Sequence, residues 1–210
     1  MADESALMRF VRVIAAGDVS LASQLLASTP SLATEHLGQG ATRQVATDFY
    51  LHEIEHYVYG GDTALHVAAA GYQLGIARSL VAAGADVSAK NRRGAQPLHY
   101  AAEGHPATPA VWKPEAQAAM IAYLIEAGAD PNATDKSGVA PLHRAVRTRS
   151  AAAVRALIDG GADPRRPNRN GSTPMTLATQ NTGRGGSGTP ESKAQQREIV
   201  QLLELQRATQ

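Results

Sequence analysis

The chain has no cysteine and few aromatic residues among its 210 positions. The lack of cysteine excludes disulfide bonds, thiolate metal sites and a cysteine nucleophile, and it fits a reducing compartment. Aromatic residues make up only 4% of the chain, whereas hydrophobic residues make up 43%. The core must therefore consist mainly of alanine and branched aliphatic side chains, which suits closely packed helices.

The chain also lacks a strong charge of either sign and any long apolar run. Its formal net charge is +1, so the whole molecule is not drawn to nucleic acid or to a membrane surface. The N-terminal sequence MADESALMRF is acidic, and no stretch approaches the roughly 18 apolar residues that a membrane span needs. We expect a soluble, cytoplasmic, monomeric protein, and the composition, rich in alanine and arginine, favours a bacterial source.

Two short motifs recur along the chain with a common period. Four related tetrapeptides start 33, 44 and 33 residues apart, at Thr63, Gln96, Ala140 and Thr173. Gly-Ala-Asp recurs with spacings of 44 and 33, at residues 84–86, 128–130 and 161–163. Each spacing of 44 exceeds 33 by 11 residues, which indicates an insertion within one repeat. Such self-similarity predicts a repeat architecture.

The tetrapeptides resemble the Thr-Pro-Leu-His signature of the ankyrin-repeat family. The resemblance implies an all-α solenoid of about five helix pairs with β-turn fingers. The residue types suit these places, because proline is favoured at the first helical position and glycine where a helix ends in the left-handed conformation. The relevant residues are Pro97, Pro141, Pro174, Gly84, Gly128 and Gly161.

We predict a single ankyrin-repeat domain over residues 1–210, interrupted by three insertions. Its predicted segments are an N-terminal capping helix pair (5–28), a helical insertion (34–60), a repeat (61–93), a repeat with an insertion between its helices (94–137), a repeat (138–170) and a C-terminal capping repeat with a Gly/Ser-rich loop (171–205).

One segment has the letters of a zinc-hydrolase motif. His52-Glu53-Ile54-Glu55-His56 matches H-E-x-x-H, which on a helix places two histidine ligands and a general base on one face. The extended pattern fails because Tyr59 stands where a glycine is needed, and a short insert has no room for a catalytic cleft. The alternative is an amphipathic helix whose apolar residues pack on the first repeat, namely Phe49, Ile54, Tyr57 and Val58.

Other chemical signals are weaker. The resemblance implies that His66, His99 and His143 hydrogen-bond locally and tie adjacent turns together, which makes them structural. Residues 183–188 fit G-x-G-x-x-G by letter but follow no strand. Trp112 could anchor a partner or fold its own loop onto the body. We therefore expect no cofactor, no catalytic residue and no metal.

The resemblance implies that partners bind the concave face formed by the fingers and the first helices. Fingertips at Arg92, Lys136 and Arg169 share one repeat position, so stacking predicts a row of cations suited to an acidic protein segment. The alternative is that these charges merely solvate exposed turns. The candidate contact residues are Tyr59, Asp62, Arg92, Arg93, Glu103, Lys136, Val139, Arg147, Arg169, Ser172 and Gln180.

The sequence thus favours a non-enzymatic adaptor or inhibitor that binds a protein partner and neither nucleic acid nor a membrane. Two other functions remain open. One is a zinc-dependent hydrolase that uses His52, Glu53 and His56. The other is a purely structural role inside a larger complex, since function depends on sites placed on a fold and not on the fold alone.

Overall fold

The computed structural model describes residues 5–104, 113–180 and 189–208. Within these ranges the α-helices form five consecutive pairs. They are α1 (Ala6–Ala15) with α2 (Val19–Ser28), α3 (Ala64–Ala70) with α4 (Leu74–Ala82), α5 (Pro97–Ala101) with α6 (Pro114–Glu126), α7 (Pro141–Arg147) with α8 (Ala151–Asp159), and α9 (Pro174–Thr179) with α10 (Pro190–Ala208).

The pairs stack into two helical layers. The first helix of each pair contacts the first helix of the next, so α1, α3, α5, α7 and α9 form an inner layer. The second helices form the outer layer in the same way, from α2 through α10. The core between the layers consists mostly of alanine, leucine, valine and isoleucine. This confirms the predicted all-α solenoid of about five helix pairs.

Proline and glycine set the helix ends as the repeat pattern predicts. Helices α5, α7 and α9 each begin at a proline, where the missing N–H has no partner to lose. The three Gly-Ala-Asp glycines have φ between 91° and 102°, a conformation that disfavours any residue with a Cβ atom. No helix in the described ranges is long and apolar enough to cross a membrane.

Three buried histidines link each repeat to the next. In His66, His99 and His143, Nδ1 accepts the backbone N–H of the residue three positions earlier, at 3.1 to 3.2 Å. The hydrogen-bond pattern therefore places the proton on Nε2, which donates to a carbonyl of the following finger at 3.0 to 3.2 Å. Burial lowers the pKa of all three rings, that of His99 to about 4. These histidines are structural.

The insertion at 34–60 contains no α-helix, so the prediction of a helical insertion is wrong. It contains two short 3-10 turns, Thr47–Phe49 and His52–Ile54. Between and after these turns lie two paired strands, β1 (Tyr50–Leu51) and β2 (His56–Tyr57). Glu55 adopts a left-handed conformation with φ of 49° and turns the chain back on itself. Tertiary packing explains the outcome, because this hairpin buries Leu51, Ile54 and Val58 almost completely.

The insertion is attached to the finger of the first full repeat by backbone hydrogen bonds. The Leu37 N–H donates to the Asp62 carbonyl at 2.8 Å, whereas the Ala41 N–H donates to the Val58 carbonyl at 2.8 Å and joins two parts of the insertion itself. The Gly61 N–H in turn donates to the Leu37 carbonyl at 2.7 Å. The insertion therefore forms a fixed wall beside the fingers.

Candidate functional site

The fingertips are aligned by hydrogen bonds between their backbones. The Arg92 N–H donates to the Gly60 carbonyl at 2.9 Å, and the Lys136 N–H donates to the Arg93 carbonyl at 2.9 Å. The next finger repeats the pattern, because the Arg169 N–H donates to the Ser137 carbonyl at 3.3 Å. Arg92, Lys136 and Arg169 therefore occupy equivalent places on successive fingers, and all three side chains are exposed.

A concave pocket of about 520 Å³ lies between these fingers and the inner helices. Five cations and two carboxylates line it, which leaves an excess of three positive charges. The pocket brings together seven of the predicted contact residues: Tyr59, Arg92, Arg93, Glu103, Lys136, Val139 and Arg147.

Arg144 forms the charged floor of this pocket. Its Nη1 lies 3.2 Å from Glu103 Oε1, and its Nη2 lies 3.2 Å from Asp135 Oδ2. Only 11% of the Arg144 side chain is exposed, so water screens these ion pairs weakly. Hydrogen bonds from the Val139 and Ser137 N–H groups and from Arg144 lower the pKa of Asp135, although burial opposes the shift. Both carboxylates therefore balance the positive charge of Arg144 within the protein.

The rim of the pocket carries cations held on an aromatic ring. The guanidinium carbon of Arg93 lies 4.1 Å from the centre of the Tyr59 ring, and that of Arg92 lies 5.5 Å from it. Such contacts stabilise a cation by about 0.5–1 kcal/mol at exposed sites. The Arg92 guanidinium also donates to the Ala41 carbonyl in the insertion. Contacts with the insertion thus position this pair of arginines.

Asp62 does not belong to the binding surface, so its prediction as a contact residue is wrong. Its side chain is fully buried. It accepts hydrogen bonds from the Tyr59 N–H at 2.6 Å, from Asn91 Nδ2 at 2.9 Å and from the Tyr100 hydroxyl at 2.8 Å. Burial, followed by the charge of Asp62, raises the pKa of Tyr100 well above its ordinary value. Asp62 is the centre of a structural network beneath the pocket.

The remaining predicted contact residues lie beyond this pocket. Arg169 and Gln180 are exposed and Ser172 is half-buried, and none of them lines the pocket. The Ser172 carbonyl instead accepts the hydrogen bond from His143. These three residues continue the surface toward the last repeat.

The HEIEH segment does not have the geometry that the zinc hypothesis requires. His52 lies in a 3-10 turn, and His56 lies in β2 beyond the left-handed Glu55. The two rings therefore do not share a helix face. His52 is exposed, whereas His56 is buried against Tyr100 with its Nδ1 3.9 Å from Glu103 Oε2. Among the described residues no group of three or more His, Cys, Asp or Glu side chains is suited to hold a metal.

Seven pocket residues were not among the predicted contact residues, namely His56, Asn91, Ala95, Tyr100, Asp135, Ser137 and Arg144. The repeat register offered a signal for all of them except His56. Ala95 shares the repeat position of Val139, and Ser137 shares that of Arg93. Asn91 and Asp135 occupy one repeat position, and each side chain accepts the N–H groups two and four residues later. Tyr100 and Arg144 each directly follow a repeat histidine. Nothing in the repeat pattern indicates His56, because it belongs to the insertion.

Trp112 and the glycine run at 183–188 lie outside the described residues.

Three family models match the chain. One described as "Ankyrin repeats (3 copies)" matches residues 7–108, one described as "Ankyrin repeat" matches 93–136, and one described as "Ankyrin repeats (many copies)" matches 124–178. Together these matches run without a gap from residue 7 to residue 178. A comparison with curated proteins found no match.

Proposed function

Because the chain belongs to the ankyrin-repeat family, whose repeats are generally protein–protein interaction modules, we propose that it is a non-enzymatic adaptor or inhibitor. It binds another protein through the fingers and inner helices of its central repeats. The absence of cysteine supports a cytoplasmic location for this activity.

The observation that carries this proposal is the pocket between the fingers of the central repeats. Seven residues that the repeat register assigns to the partner surface line this one concavity. Binding residues positioned by a rigid scaffold are typical of interaction surfaces. The hydrogen bonds between the backbones of successive fingers fix the positions from which these side chains project, so the fingertip backbone loses little entropy when a partner binds.

The charge of the surface supports a partner with an acidic segment. Five cations against two carboxylates line the pocket, and Arg169 extends the positive charge along the next finger. Complementary charge raises the association rate and selects against partners of the same sign. The affinity is then expected to fall with increasing salt, because exposed charges are screened over about 8–10 Å at physiological ionic strength.

The experiment is affinity capture with mass spectrometry, followed by titration of the purified partner. A variant with Arg92, Lys136 and Arg169 replaced by glutamate is compared with a control in which Arg165, Arg166 and Lys193 are replaced by glutamate. The control changes the net charge equally at exposed positions outside the pocket. We expect the partner to bind the control and not the first variant. Equal binding to both variants contradicts the proposed surface.

A further inference from the structure

A group of cations at one end of the pocket has no carboxylate partner among the residues that the structure describes. We call these cations, together with the tyrosine ring that two of them contact, the arginine corner; it consists of Tyr59, Arg92, Arg93 and Lys136. Glu103 and Asp135, the two carboxylates of the pocket, pair with Arg144, and Glu103 also lies 3.5 Å from Arg147. None of the ion pairs in the described ranges includes Arg92, Arg93 or Lys136. The positive charge of the pocket is therefore concentrated at this corner.

The insertion and two repeats hold the arginine corner in place. The Tyr59 N–H donates to buried Asp62, which fixes the backbone that carries the Tyr59 ring. Both arginines contact this ring, and Arg92 also donates to Ala41 of the insertion. On the other side, the Arg93 carbonyl accepts the Lys136 N–H. Side chains that are already positioned lose less entropy when they bind.

We propose that the arginine corner is a subsite for a carboxylate side chain from an extended acidic segment of the partner. This inference rests on the proposed function and names the chemistry that the pocket recognises. A guanidinium group presents a planar fork of donors that matches a carboxylate. The floor of the same pocket already contains hydrogen bonds between a guanidinium and carboxylates, because Arg144 Nη1 donates to Glu103 and Nη2 donates to Asp135.

The carboxylates of the floor reduce the positive charge that the pocket offers to a ligand. Glu103 and Asp135 offset two of the five cations that line the pocket, so the remaining excess lies mainly at the arginine corner. The segment is expected to extend from the corner along the inner helices, where Tyr100, His56 and Arg147 form the other walls.

The test uses a fluorescently labelled hexaglutamate peptide, followed by fluorescence anisotropy at a low salt concentration of about 50 mM. Hexaglutamine and a serine-based peptide carrying phosphoserine are the comparison ligands. We expect hexaglutamate to bind the full chain, hexaglutamine not to bind, and the phosphopeptide to bind no more tightly than hexaglutamate at equal peptide charge. Tighter binding of the phosphopeptide at equal peptide charge contradicts the carboxylate assignment.

Two pairs of variants locate the subsite. Replacing Arg93 and Lys136 by alanine should weaken hexaglutamate binding by about tenfold or more, since hydrogen bonds between charged groups are the strong ones. Replacing Arg165 and Arg166 by alanine removes the same charge outside the pocket. This change should alter the affinity by less than about threefold, well below the tenfold effect expected at the pocket. Equal weakening by both pairs shows attraction to net charge alone and overturns the proposal.

The role of the ring is tested separately with Tyr59→Phe and Tyr59→Ala. The phenyl ring keeps the surface on which both guanidinium groups lie, so Tyr59→Phe should bind hexaglutamate like the unmodified chain, whereas Tyr59→Ala should bind more weakly. Thermal unfolding by circular dichroism identifies variants that fail to fold. If the purified natural partner binds the Arg93→Ala, Lys136→Ala variant with unchanged affinity, the carboxylate subsite is wrong while protein binding stands.

Discussion

Replacing buried Asp62 by alanine should destabilise the fold strongly, although the repeat register places this residue on the partner surface. The carboxylate accepts hydrogen bonds from the Tyr59 N–H, Asn91 Nδ2 and the Tyr100 hydroxyl. In Asp62→Ala the Tyr59 N–H and the Tyr100 hydroxyl lose this acceptor. Asn91 Nδ2 keeps a 2.9 Å bond to the Tyr100 oxygen.

The size of the effect follows from two opposing contributions. Hydrogen bonds to a charged group contribute about 1.5–3 kcal/mol each, and Asp62 accepts from three donors. The alanine variant also avoids the cost of burying a carboxylate, which is several kcal/mol. We therefore expect a net loss of about 2–4 kcal/mol in the free energy of unfolding, which is a large part of the stability of a domain.

Urea unfolding followed by circular dichroism measures this loss, with equal slopes showing that both chains unfold in the same way. Exposed Glu53 in the neighbouring insertion supplies the control, because Glu53→Ala should stay within about 0.5 kcal/mol of the unmodified chain. Ordinary surface substitutions change the free energy of unfolding by less than about 0.5 kcal/mol. A loss this small for Asp62→Ala would refute the role given to the buried network.

Two further predictions concern the links between repeats. Burial lowers the pKa of His99 to about 4. The neutral ring therefore makes its full contribution to the stability of the fold above about pH 6.5, and this contribution is lost as the pH falls toward 4. Between pH 7 and pH 5 we expect this residue to contribute a loss of about 2 kcal/mol, and urea unfolding of His99→Gln should show a weaker pH dependence. Gly138 has φ of +71°, and a Cβ atom there would lie 2.8 Å from the Arg169 nitrogen. Gly138→Ala should therefore reduce the free energy of unfolding by more than about 1 kcal/mol and lower the thermal midpoint. The control Gly75→Ala, with open space around the added Cβ atom, should not lower it. Equal midpoints for the two variants would contradict this account of the finger stacking.

The repeat body could be predicted because each of its elements is specified by local chemistry that recurs. Proline begins an inner helix, leucine is buried one residue later, and glycine ends the outer helix, as at Pro97, Leu98 and Gly128. The insertion offered no such repetition. Leu51, Ile54 and Val58 are spaced by three and four residues, which suits one face of a helix as well as the observed hairpin.

The repeat register also placed most of the candidate surface, since one position in each repeat keeps one orientation. It predicted that Arg92 and Lys136 occupy neighbouring fingertips, and the backbone bonds between the fingers agree. It failed at Asp62, because Asn91 of the following finger and Tyr100 of the next repeat cover that position. Burial by a neighbouring repeat is a tertiary property that the register does not contain.

By itself the sequence determined the family, the helix pairs and the positions of the fingertip cations, because these depend on motifs that recur with a period of 33 residues, lengthened once by an 11-residue insertion. Only the tertiary structure decided which charges remain without a partner. Arg144 is buried and paired with Glu103 and Asp135, whereas Arg93 lies on the Tyr59 ring without a carboxylate nearby among the described residues. These pairings join groups far apart in the chain, and hydrogen bonds and ion pairs act over only a few ångströms, so they exist only once the repeats and the insertion have packed together.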